Sequence, residues 1–199
     1  MLENLESWIF VEWSKANDLV LDVNIPTNML YSAMLREAGE LYEDQELIEE
    51  AEQIKKYICT NCYDGSFFLD NAIRRNGKLE FTGEKTEVCQ YYAFFLKIAT
   101  PDTFPELWEV LVKEFGPHRD VNAVYPKVYS ANAFIGNYLR LDCLVQYNCR
   151  EQALKEMVGY FEEMAEVTGT LWEHMSPVAS CNHGFASYAA YLLSEIFNS

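Results

Sequence analysis

The chain has 199 residues, half of them hydrophobic and 15% aromatic, with 15 basic against 31 acidic side chains. That is enough apolar material for one domain with a sizeable core, and too much for a disordered segment. A formal charge of −16 repels phosphates, which argues against duplex nucleic acid and anionic membrane surfaces as partners.

The start, Met1-Leu-Glu-Asn-Leu-Glu6, lacks a basic stretch followed by an apolar one, and no apolar run reaches membrane-spanning length. As it stands the sequence reads as cytoplasmic. The cysteines at 59, 62, 89, 143, 149 and 181 then read as reduced, mostly buried thiols. Cys59-Thr-Asn-Cys62 has no second pair at zinc spacing and falls at a helix end, so packing is the expectation there, not metal or redox chemistry.

In chain order, Thr27 to Leu41 predicts a largely apolar helix through Met29, Leu30, Ala33, Met34 and Ala38. Leu47, Ala51, Ile54 and Ile58 recur at helical steps, with Glu49, Glu50, Lys55 and Lys56 between them. That is a surface helix with one buried stripe. Ser66 to Leu69 and Lys78 to Phe81 flank Asn71 to Gly77 and could pair as a short hairpin in a loop. Val88 to Leu96 is apolar on nearly every side. Phe104, Leu107, Leu111 and Phe115 are striped, after a capping-box pattern at Thr103-Phe-Pro-Glu106. Ala131 to Val145 is apolar all round, with Ser130 as expected N-cap. Leu154, Met157, Phe161 and Met164 are striped again. Phe185 to Phe197 is apolar, with Asn182 as expected N-cap.

Helices buried all round therefore take turns with half-buried ones. The pattern predicts an all-α single domain over residues 1–199. It would be an α/α toroid of about seven helices, inner helices beginning near 27, 84, 131 and 183. Short turns at Glu43-Asp44, Thr100-Pro-Asp102 and Asn148 connect inner to outer helices. The long loops, 63–83, 116–130 and 169–182, all gather on the other face, where a site belongs. An open ring of this kind exposes the apolar flanks of its first and last inner helices.

The last of those loops reads Thr170-Leu-Trp-Glu-His-Met175, and Ser180-Cys-Asn-His-Gly184 follows. A carboxylate, an indole, an amide and an imidazole near one helix start suit a sugar, with an acid for chemistry, a flat face for C–H groups and hydrogen-bonders for hydroxyls. Glu12 and Trp13 repeat the acid-plus-aromatic theme, and Glu87 falls in a first helical turn, where the helix dipole also favours an acid. Asp64 and Asp70 are ordinary turn residues.

Four stretches together resemble a known family: Phe10-Val-Glu-Trp13, Thr86-Glu-Val-Cys-Gln-Tyr-Tyr-Ala93, Ala131-Asn-Ala-Phe-Ile-Gly-Asn-Tyr138, and Thr170-Leu-Trp-Glu173 with Asn182-His183. In this order they resemble the C-terminal part of the catalytic domain of a bacterial α-L-rhamnosidase-like six-hairpin glycosidase, and the resemblance implies that the toroid is a partial (α/α)6 one, all-α with about seven of twelve helices. The resemblance implies inverting hydrolysis of terminal rhamnosides, with Glu173 as general base. It implies substrate contacts from Trp172, His183, Asn182, Glu12, Trp13 and Glu87. The family's general acid lies in an earlier acidic loop with no counterpart here, so the isolated chain is expected to be inactive. Each residue also has a plainer reading: Trp172 as a core plug, His183 as a helix cap, and Trp8, Phe10 and Trp13 as cover for an exposed edge. Glu173, His174, Cys181 and His183 lack regular ligand spacing, so neither metal nor cofactor is expected. The expected partners are a rhamnoside-like carbohydrate and either a second copy or the missing N-terminal half. A non-catalytic carbohydrate-binding or scaffold module is the alternative. A helical-repeat interaction domain is weaker, since such repeats are more regular.

Overall fold

A computed structural model describes residues 1–119 and 124–198. Among them are seven α-helices: α1 (Ile25–Tyr42), α2 (Gln45–Asn61), α3 (Glu87–Phe95), α4 (Pro105–Glu114), α5 (Tyr138–Gln146), α6 (Arg150–Thr168) and α7 (Tyr188–Phe197). No described helix is long and apolar enough to cross a membrane.

The apolar helices α1, α3, α5 and α7 form the inner row, each packed against the next. The amphipathic α2, α4 and α6 lie outside them. α2 is buried only at Ala51, Ile54 and Ile58, the stripe its spacing predicts. α1 and α2 form the closest hairpin. Glu43 takes a left-handed φ of 55° to end α1, and Asp44 caps α2 by accepting from Glu46 and Leu47 amides at 3.0 and 3.3 Å. The helices approach so tightly that a Cβ on Gly39 would lie 2.6 Å from Ile48 Cγ1.

A small antiparallel sheet sits in the loop before α3. β1 (Val23–Asn24) pairs with β2 (Asn71–Arg75), and β2 with β3 (Lys78–Phe81), in the register Ala72 to Phe81 and Arg75 to Lys78. The hairpin partner of 78–81 is therefore 71–75, not 66–69. Asn76 and Gly77 both take positive φ, at 51° and 78°, and make the two-residue turn such a hairpin favours. Ser66 to Leu69 holds only an isolated bridge, Tyr63 to Phe68.

Several helix starts also differ from expectation. Thr103 bonds within its own turn to Thr100, and α4 begins after Phe104 with no side-chain cap. α5 is preceded by a π-turn (Ala133–Asn137) capped by Asn132, not Ser130. α7 follows a 3₁₀ turn (Gly184–Ser187) with His183 at its cap position, and the Asn182 side chain caps nothing. Periodicity located the buried faces; which side chain reaches an end amide is local geometry that periodicity does not encode.

Burial on all sides holds for α3 and α5 only. α1 exposes Leu30, Met34 and Leu41, and α7 exposes Tyr191, Leu193 and Phe197. These are the two ends of the inner row, the flanks an open ring leaves bare. The interior forms two apolar clusters, one around α1 to α3 and one around α5 to α7, and Trp108 of α4 touches both.

Arg140 of α5 is 2% exposed. Its Nε and Nη2 meet the two oxygens of Glu156 on α6 at 2.6 and 2.8 Å, and its Nη1 and Nη2 donate to the carbonyls of Leu111 and Phe115 at 2.7 and 3.0 Å. Gln152 adds a bond to Glu156 at 2.7 Å. One guanidinium thus joins an inner helix, an outer helix and the end of α4. Removing one partner strands a buried charge, so Arg140→Met should lower urea-unfolding stability by roughly 3–5 kcal/mol. The double variant Arg140→Met/Glu156→Leu should lose less. A single-variant loss under about 1 kcal/mol would mean the pair is dispensable.

Candidate active site

The long loops meet on one face. The 116–131 loop reaches the start of α3, where Glu87 N donates to Tyr129 O at 2.9 Å. The 170–183 loop reaches the start of the π-turn, where Phe134 N donates to Glu173 O at 3.1 Å. The N-terminal segment closes the group at Glu12 and Trp13.

Glu12 is 0% exposed. Its Oε1 accepts the amides of Asn132 and Gly136, both at 2.8 Å. Only glycine fits at 136, since a Cβ there would lie 2.2 Å from that oxygen. Burial pushes the Glu12 carboxyl up to about 8, against the pull of the Ser14 hydroxyl and the two amides, while the Glu87 charge pushes it further up. A side chain so enclosed pins the N-terminal segment and offers no contact to a sugar. The expected substrate role of Glu12 finds no support in that burial.

Asp70, read from sequence as a turn residue, is also fully buried. It accepts the Thr86 amide at 2.6 Å and the Thr86 hydroxyl at 2.8 Å, while Thr86 caps α3. Burial raises its carboxyl to about 7. Glu87 accepts the Ala131 amide at 2.6 Å and pairs with Arg119 at 3.2 Å. Arg119 in turn holds Tyr125 O, Ser130 Oγ and Val128 O. This pair borders a cleft of about 50 Å³, also lined by Asn137, Tyr160 and Met175.

Trp172 is 2% exposed, its Nε1 donating to Thr168 Oγ1 at 2.7 Å. It packs in the second apolar cluster. This burial is what the plug reading of Trp172 expects, and it leaves little of the indole open. Its neighbour Glu173 differs. That side chain is 18% exposed, its Oε2 3.4 Å from Ser180 N and its Oε1 4.0 Å from His183 Nε2. His183 lies edge-on to Phe134 with centroids 4.8 Å apart, and its Nδ1 is buried without a hydrogen-bond partner among the described residues. Asn182 is exposed. Trp13 is 40% exposed and rests edge-on against Phe10 at 4.8 Å. The described residues hold no group of three or more metal-ligating side chains.

The structure thus brings Glu173 and His183 together, reaches Trp13 from them through Phe134 and Phe10, and leaves Glu12, Glu87 and Trp172 buried. Sequence reasoning missed Arg119, Asp70 and Asn132. Arg119 had a faint signal: it is one of two cations, with Lys127, in an otherwise uncharged-to-acidic loop.

Raised carboxyl pKa values give these buried groups a pH signature. Between about 4.5 and about 8 the folded chain keeps a proton on Glu12 that the unfolded chain has released. Stability therefore falls as pH rises across that window. Asp70 acts with the same sign up to about 7. Glu12→Gln keeps an acceptor for both amides but never ionises. Its unfolding free energy should drop less than wild type between pH 5 and 8.5, by on the order of a few kcal/mol. Parallel curves for the two proteins would show that Glu12 does not titrate there.

No family model matches the chain, and no curated protein does. Solved structures do. A family 78 rhamnosidase of Bacillus sp. GL1 superposes with a TM-score of 0.70 at 14% identity, over 90% of this chain and 19% of that one. A rhamnosidase from Klebsiella oxytoca, solved with rhamnose bound, gives 0.62 at 16% identity, over 91% of this chain and 33% of that one. The chain spans about a fifth and a third of the lengths of these two structures. At such identities the likeness establishes the fold: the chain folds as part of a rhamnosidase-like α/α toroid.

Proposed function

We propose that this chain is the C-terminal part of the catalytic domain of an α-L-rhamnosidase-like glycoside hydrolase that acts on terminal rhamnosides with inversion. The observation that carries the reading is the environment of Glu173. Glu12, Asp70 and Glu87 are buried and spent on backbone amides and an arginine. Glu173 stands half-open beside the His183 imidazole. A base needs that access, because it must take a proton from the water that attacks the anomeric carbon. His183, Asn182 and Trp13 are the sugar contacts in this reading.

Inversion also needs an acid, held roughly 6.5–9.5 Å from the base, to protonate the leaving oxygen. Glu12 has an acid's raised pKa of about 8, but its carboxyl is sealed and pinned by two amides. A perturbed pKa marks a site only where the group can reach a ligand. The acid then comes from outside these residues, and the isolated chain is inactive. The bare edges of α1 and α7 are covered by a second copy or by the preceding hairpins, since monomers rarely leave large apolar faces exposed.

The exposed Trp8 and Trp13, 72% and 40% accessible, favour one second reading, a carbohydrate-binding module without turnover. Both readings meet in one experiment. The purified chain is assayed on an aryl α-L-rhamnoside and titrated with L-rhamnose by calorimetry. No turnover, with binding weakened by Glu173→Gln, is the expected result. Turnover abolished by Glu173→Gln would reveal an acid within these residues. Binding that ignores Glu173→Gln but is lost in Trp13→Ala favours the binding module. Light scattering at micromolar concentration should show self-association, and a clean monomer counts against the covered-edge reading.

A further inference from the structure

Asn132 uses every hydrogen-bonding position it has. Its amide donates to Glu12 Oε1 at 2.8 Å, and its carbonyl accepts from Asn137 N at 3.0 Å. Its Oδ1 accepts the amides of Ala133 and Met175 at 2.8 and 2.9 Å. Its Nδ2 lies 2.6 Å from Trp13 O and 2.7 Å from His174 Nδ1. One half-buried side chain therefore joins three segments far apart in sequence: the N-terminal segment at 12–13, the π-turn before α5, and the loop that carries Glu173.

The orientation of this carboxamide is fixed by its surroundings. Two backbone N–H groups must meet an oxygen, and the Trp13 carbonyl must meet a donor. Turning the amide over would set its NH₂ against both N–H groups and its oxygen against a carbonyl. The NH₂ therefore faces His174, and Nδ1 of that ring can only accept. The proton of the neutral imidazole then sits on Nε2.

We propose that Asn132 is the positioning residue of the Glu173 loop: it clasps His174 and Met175, the two residues after Glu173, to the π-turn, and it dictates the Nε2–H tautomer of His174. With Phe134 N on the carbonyl of Glu173 itself, residues 173 to 175 are all anchored to the same turn. The consequence for sugar binding rests on the reading of Glu173 given above; the clasp does not.

The test uses the full chain, ¹⁵N-labelled, with Asn132→Asp and Asn132→Leu. Three things are measured: the His174 ring nitrogens by NMR, amide exchange at Met175, and L-rhamnose affinity by calorimetry. Wild type should show an unprotonated Nδ1 and a protonated Nε2. Asn132→Asp keeps an oxygen for the Ala133 and Met175 amides but turns an acceptor toward both His174 and Trp13 O, so the Trp13 contact opens as well. It should move the ring proton to Nδ1 while Met175 exchange stays slow. Asn132→Leu should speed Met175 exchange and weaken rhamnose binding, each about tenfold. A wild-type His174 protonated on Nδ1, or an Asn132→Asp spectrum with the wild-type ring pattern, overturns the clasp. Unchanged rhamnose affinity in Asn132→Leu overturns the positioning role. The expected ring pattern with no rhamnose binding in any protein upholds the clasp and removes the sugar reading instead.

Discussion

The ion pair between Arg140 and Glu156 is the interaction on which the two-layer arrangement depends. Each ion costs several kcal/mol to desolvate, and only near-complete hydrogen bonding offsets that. Arg140 meets the condition with two carboxylate oxygens and two carbonyls. The carbonyls belong to the last turn of α4 and the residue after it, where an α-helix leaves acceptors unsatisfied. The same guanidinium therefore completes an outer helix, fastens a second one, and fixes the height of an inner helix between them. It sits where the two apolar clusters meet, at the point least able to rely on apolar packing alone. Hydrophobic burial brings the layers together without direction. The ion pair supplies direction.

The loop face uses the same device with the roles exchanged. There the buried groups are carboxyls, Glu12 and Asp70 among them with their proton held up to about 8 and about 7 by burial, and the groups that meet them are backbone amides of other loops. Glu12 binds Asn132 and Gly136, Asp70 binds Thr86, and Glu87 binds Ala131. Loops cannot satisfy each other's amides with a regular ladder, so an acid between two of them is an efficient pin. Part of the acidity of the chain is thus internal scaffolding. An acidic side chain left partly open above such a layer, as Glu173 is, stands out by contrast. Its backbone is held from both sides, by Phe134 N and by Ser180 O, while its carboxylate keeps access.

Much of the architecture was legible in the sequence because hydrophobic periodicity reports burial directly. The stripe Ala51, Ile54, Ile58 and the uninterrupted apolar run of α3 each name their layer. The same signal overstated α1 and α7, since a helix at the end of a row has an inner composition and a missing neighbour. The motif around Trp172-Glu173 was legible as a unit, but the division of labour within it was not. Whether an indole faces solvent or core depends on Thr168, which takes its N–H, and on the cluster with Met164 beneath it, both from the helix before. Whether Glu12 contacts ligand or backbone depends on amides at 132 and 136. Contacts across more than a hundred residues have no local signature. Arg140 and Asp142 within an apolar helix were a usable hint, because a buried charge implies a partner, though not which one.

On the reading proposed above, the open edges and the lack of an acid are two aspects of one geometry. The inner row runs α1, α3, α5, α7, so its bare flanks are the far sides of α1 and α7. The site loops lie at the ends of those same inner helices, with Glu173 and His183 on the segment that leads into α7. On the reading proposed here, whatever packs against Tyr191, Leu193 and Phe197 also builds the next wall beside the Glu173 carboxylate. Covering the edge would remove water from that carboxylate's surroundings and strengthen every charge interaction there, because the effective dielectric falls. On that reading the element that covers the edge also brings the group that donates the proton. An apolar edge that must be covered before the site is dry would then keep a lone base from acting without its acid.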